Sequence, residues 1–304
     1  MARLFDAYII VDWSAAAKPV TGANSIWIGV RARDTRLRFQ FSSANPKTRL
    51  EARTLIAELA HKLISRGDKV LIGCDFAFGY PAGTAEAIGL DCDAMPPWQA
   101  MYAHIASKVK ERDDNSNARF ALAAGLNYAM TKGPHPFWGT TKKDQVSTLS
   151  MKKGDFSAPS SLPEHRLSEA WIRTEFKASP KSVWQLIGAG AVGSQTLLGI
   201  ATVAHLRDEI DGAQIWPFET GFKSLTADDL ANTSCVLAEV YPSTLNVTPE
   251  TGEVLDLAQV RMLSEHLESL DSAGKLASAF GPPDTRSGRE IEQITCEEGW
   301  ILAK

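Results

Sequence analysis

Three acids stand at or near the ends of apolar, strand-like runs: Asp12 closes "AYIIVD", Asp75 closes "KVLIGCD" and Glu239 lies in "CVLAEVYP". If the first two runs are neighbouring parallel strands, Asp12 and Asp75 meet at one sheet edge, where two carboxylates repel unless a cation lies between them. Hard carboxylate oxygens suit Mg²⁺ or Mn²⁺. Glu239 is expected to join as a third metal ligand. Asp271, in the helical stretch "LESLDSAGKLASAF", is the expected fourth catalytic acid, chosen over Glu268 by helix spacing, with Lys275 one turn on. Such a cradle serves attack of water on a phosphodiester, one ion activating the nucleophile and another steadying the leaving oxygen. Taken singly, each acid also reads as a polar residue that merely starts a loop.

The elements that must position these acids are legible in the hydrophobic pattern. "AYIIVDW", "SIWIGVRAR" and "LRFQFSS" are separated by turn-forming segments, so residues 6–43 read as three consecutive antiparallel strands. A helix follows, with Asn45 and Pro46 as its cap and first turn and Gly67 as its stop. "KVLIGCDFAFGYP" is continuously apolar, which suits a buried central strand beside the first. Residues 83–180 loosen into two helices and the long polar loop 133–165, read as an insertion within a single domain spanning 1–304. A helix, two more strands and terminal helices around 256–280 complete the chain. The expectation is an α/β fold with a mixed sheet, helices on both faces and a helical and loop insertion. Three meandering strands, a helix and a central strand are also the opening order of ribonuclease H-like folds.

The segments "IIVDWSAA", "LIGCDFAFGYP", "SVWQLIGAGAVGSQ", "IWPFE" and "LAEVYPS" together resemble a bacterial family, domain of unknown function 429, described as predicted RNase H-like nucleases. The resemblance runs from about residue 6 to the final "EEGWIL". It implies an RNase H-like fold and a nuclease site at Asp12, Asp75 and Glu239.

"IGAGAVGSQT" places Gly188, Gly190 and Gly193 at the spacing of a dinucleotide fingerprint. A dinucleotide site also needs an acid ending the next strand roughly 20 residues on; Asp208, Glu209 and Asp211 fall at the end of a helix instead, and Glu219 comes too late. The glycines are better explained by a tight turn and close helix packing, or by free amides at a helix start that hold a phosphate. In the long loop, Lys132, Lys142, Lys143, Lys152 and Lys153 interleave with His135, Phe137 and Trp138, as a nucleic-acid or nucleotide contact would require; a solvated loop has the same composition. Lys142, Lys143 and Trp138, with Ser14 after "VDW", are the expected substrate contacts.

A net charge of −4 argues against a surface coated for nucleic acid, so any such binding must be local. The four cysteines lack metal spacing and read as reduced packing residues. No apolar run reaches the ~18 residues of a membrane span, and Asp6 and Asp12 interrupt what a signal peptide would keep apolar. The expected protein is cytoplasmic and away from membranes. It is a metal-dependent nuclease or phosphodiesterase, with a non-catalytic nucleotide- or nucleic-acid-binding module of the same fold as the alternative. An actin- or sugar-kinase-like phosphotransferase would need a second meander, which the sequence lacks; an NAD-binding protein remains the other minor reading.

Overall fold

The computed structural model describes residues 3–158 and 162–303. Pro159, Ser160 and Ser161 of the long loop lie outside them. The chain forms one seven-stranded mixed sheet with helices on both faces. Strands β1 (Ala7–Asp12), β2 (Trp27–Arg33) and β3 (Phe39–Ala44) are the antiparallel meander, followed by helix α1 (Arg49–Ile64) and strand β4 (Val70–Cys74). Between β4 and α6 (Gly193–Glu209) lie α2 (Thr84–Ile88), α3 (Pro97–Lys108), α4 (Arg119–Thr131) and α5 (Leu167–Glu175). Strands β5 (Ala213–Ile215) and β6 (Cys235–Val240), helices α7 (Leu255–Ser272), α8 (Leu276–Ala279) and α9 (Gly288–Gln293), and the short strand β7 (Ile301–Leu302) close the chain. The strand order is β3-β2-β1-β4-β6-β5, with β7 beside β6, and β1, β4, β6 and β5 all run parallel.

Strands β1 and β4 are buried along their whole length, as expected of parallel strands covered on both faces. Alternation divides their side chains between two cores. Ala7, Ile9, Val11, Val70, Ile72 and Cys74 face the α1 and α6 side. Tyr8, Ile10 and Leu71 face the side carrying α7, which packs on β1 and β2.

The α1 cap differs from the expected one. Thr48 is the cap, its hydroxyl accepting from the Glu51 amide at 3.2 Å, while Asn45 accepts from the Gly22 amide and donates to Ile26 O, tying the β1–β2 connection to the end of β3. The described residues of the long loop also pack into the core more than its composition implies. Phe137, Trp138 and Leu149 are core residues, and Asn127 of α4 fixes the loop by donating to Phe137 O and Thr148 O and accepting from the Phe137 amide.

Candidate functional site

Asp12 and Asp75 come together as the strand pairing requires. Val11 and Cys74 are register partners, and the Asp75 amide donates to Val11 O at 3.2 Å, so the two acids are the next neighbours along the parallel pair. The Trp13 amide donates to Asp75 Oδ1 at 2.7 Å. Asp12 is only 9% exposed, yet no donor among the described residues reaches its carboxylate. By the alternation of β1 it points to the α7 side.

A third acid on that side was not singled out in the sequence. Asp256 lies in the first turn of α7 and accepts from the Asn24 amide at 2.6 Å. Burial first, then the charges of Asp75 and Asp256, push the Asp12 carboxyl far above the usual range. Burial also raises Asp75, outweighing the backbone amides that favour its ionised form, and Asp256 adds to the rise. Sequence offered one signal for Asp256: an acid in a helix's first turn, where the dipole favours negative charge.

Glu239 does not join this group. In β6 it is the register partner of Cys74, not of Asp75, so it faces the α1 and α6 side of the sheet. There Arg166 donates to both its oxygens at 2.6 and 2.8 Å, and the Phe78 amide adds a third bond at 2.9 Å. Arg166, fully buried, also binds Glu169 at 2.8 Å and Glu298 O. Flanking carboxylates hold its guanidinium firmly charged despite burial. Its three strong donors give Glu239 a structural role, and the structure sets it on the other side of the sheet from Asp12, not beside it as the metal reading expects.

Asp271 is corrected by position. Leu4 N, Phe5 N and the Tyr8 hydroxyl all donate to it, at 2.9, 2.9 and 2.7 Å. It therefore sits at the opening end of β1, whereas Asp12 closes that strand. Fifteen helical steps separate Asp256 from Asp271, about 22 Å along α7. Glu268 is at the same far end, paired with Arg3 at 2.9 Å.

The glycine motif does not follow a strand. Val183 and Trp184 form a turn and Gln185 makes a single bridge to Trp138, so the glycines do not have the strand that a dinucleotide site needs before them. Gly188 and Gly190 have φ of 128° and 70°, values that suit glycine, and a side chain on Gly193 would strike Val183 O and Gln185 O. The loop does border the acids: a cavity of about 200 Å³ is lined by Asp75, Glu239, Lys181, Gly190, Gln195 and Gln259 among others. Lys181 has no acidic partner among the described residues.

The remaining expected contacts divide. Lys142 and Lys143 are exposed, but Trp138 is 7% exposed and stacks edge-on against Phe156, which leaves no free face for a base. Ser14 accepts from the Ala16 amide at 3.2 Å, as a turn residue does. Compared with family models, curated proteins and solved structures, the chain matches none. Among the described residues no three His, Cys, Asp or Glu side chains form a ready-made metal cluster, and no helix is long and apolar enough to cross a membrane.

Proposed function

We propose that the chain is a divalent-metal-dependent phosphodiesterase or nuclease of RNase H-like architecture, acting in the cytoplasm on nucleic acid or a nucleotide. The antiparallel meander with β4 parallel to β1 supports the architecture, as does the motif resemblance to the domain of unknown function 429 family. Four free cysteines suit a reducing compartment.

One observation carries the reading. Asp12 is a buried carboxylate with no donor, facing Asp75 and Asp256. Burial and the neighbouring charges of Asp75 and Asp256 disfavour its ionised form, so the site calls for a cation. Mg²⁺ or Mn²⁺ suits this donor set, with Asp12 and Asp75 holding it and Asp256 the nearest further carboxylate. When bound, such an ion supplies a water of lowered pKa and positive charge at the phosphate oxygens. The chain's own residues do the rest. The Trp13 amide orients Asp75, while Lys181 and Gly190 line the same cavity as Asp75, where the ammonium would offer positive charge to a bound phosphate.

The test is Mn²⁺ titration by calorimetry, paired with cleavage of single- and double-stranded oligonucleotides and of a chromogenic phosphodiester. Wild type is expected to bind Mn²⁺ and cleave at least one substrate, with Asp12→Asn losing both. Binding without cleavage favours the non-catalytic module; no binding, or an active Asp12→Asn, removes the proposal.

A further inference from the structure

A second cavity lies away from these acids. It has a volume of about 550 Å³ and opens between α3 and α4. Both helices pack on α2 and α6, so the space between them is left unfilled. Its floor is aliphatic: Ile88, Leu90, Leu122 and Leu126, the last two almost fully buried. Gly125 of α4 lines it, and a side chain there would meet nothing within 4 Å. The only ring in the lining is His104, so the floor favours a flexible aliphatic body over a stacked aromatic one.

The polar part of the lining carries one sign. His104 and Lys108 lie on α3, and Lys110 follows directly, in left-handed backbone at φ 46°. Lys108 and Lys110 make no ion pair among the described residues, and no acid lines the cavity. Burial and the neighbouring Lys108 hold His104 below its usual pKa, so a bound anion would raise it. An apolar cavity of this size with a few convergent polar groups is the usual form of a small-ligand site.

We propose that this cavity binds an aliphatic carboxylate, its chain on the leucine floor and its head between His104, Lys108 and Lys110. The site is independent of the metal reading and stands whether or not the protein cleaves phosphodiesters.

The experiment is calorimetric titration with decanoate and with decanol, using wild type, Gly125→Leu and the Lys108→Glu/Lys110→Glu double variant. Wild type is expected to bind decanoate at least tenfold more tightly than decanol. Gly125→Leu should abolish binding while keeping or raising the melting temperature, because leucine fills open space and favours the helix. The charge-reversed variant should lose at least tenfold for decanoate and little for decanol. NMR titration should show the His104 pKa rising on binding. The proposal is overturned if wild type ignores decanoate, if decanol binds equally well, or if Gly125→Leu binds decanoate unchanged.

Discussion

Two groups of acids lie at the same end of the sheet and differ in what surrounds them. Glu239, on the α1 and α6 side, receives two bonds from Arg166 and one from the Phe78 amide. Asp12, one strand beyond β4 and on the α7 side, is similarly buried and receives none. The same residue class is a structural clamp in one place and an unmet demand for positive charge in the other. Burial of an acid therefore says little until its donors are counted. A satisfied carboxylate ties elements together: Arg166 links Glu239 of β6 to the start of α5 and to Glu298 O, while Glu297 and Glu298 accept from the amides of Gly83, Ala85, Ala82 and Leu167. The chain's C-terminal turn thus fastens the insertion to the sheet.

The comparison breaks most sharply at Arg166. Replacing it with methionine leaves Glu239 and Glu169 buried without their cation, and one-sided removal of a buried ion pair costs about 3–5 kcal/mol. Urea denaturation of Arg166→Met should show a loss of that size; a loss below about 1 kcal/mol would mean the network is not a clamp. Asp271→Ala comes next. It strands two backbone amides and removes the stronger acceptor of the Tyr8 hydroxyl at the far end of β1, an expected cost of about 2–3 kcal/mol, with Mn²⁺ binding unchanged. Intact stability with lost Mn²⁺ binding would return Asp271 to the metal site.

Much of the fold could be read from hydrophobic periodicity because exposed faces mark the register: the meander, α1 and β4 lie where periodicity put them, although Thr48 and not Asn45 caps α1. Asp12 and Asp75 were legible for the same reason, each closing an apolar run. Glu239 was not, because "CVLAEV" is apolar on both faces and buried throughout; a strand without alternation does not reveal which side its one acid takes. Its buried Arg166 lies 73 residues away, beyond any spacing rule. For α7 the helix was evident but its direction against β1 was not. Acids stand at both ends, and only the packed orientation brings Asp256, and not Asp271, to the closing end of β1. Trp138 misled through composition: lysines around an aromatic look like a nucleic-acid surface, yet the ring packs inward.

The effect at Asp12 is the most discriminating, because its sign opposes the others. Asp12→Asn keeps the shape and removes a carboxyl that burial, Asp75 and Asp256 disfavour as an anion. In the unfolded chain an aspartate ionises near pH 4, whereas in the folded, ion-free protein Asp12 keeps its proton to much higher pH. The folded state then binds more protons than the unfolded one, so the Asp12 contribution to stability falls as pH rises above about 4. Asparagine does not titrate, so the advantage of Asp12→Asn over wild type should widen from pH 5 to pH 8 in chelator. The gap should widen by up to about 1.4 kcal/mol per pH unit for as long as the folded protein keeps the proton and the unfolded chain does not, each kcal/mol being worth roughly 2–4 °C in melting temperature. Saturating Mn²⁺ should reverse the order, because an ion that binds only folded wild type stabilises it by mass action. Its apparent affinity should climb with pH as the competing proton leaves. Melting curves at four pH values, with and without Mn²⁺, measure both trends. A variant less stable than wild type in chelator would show that Asp12 has a partner after all, and the contrast with Glu239 would collapse.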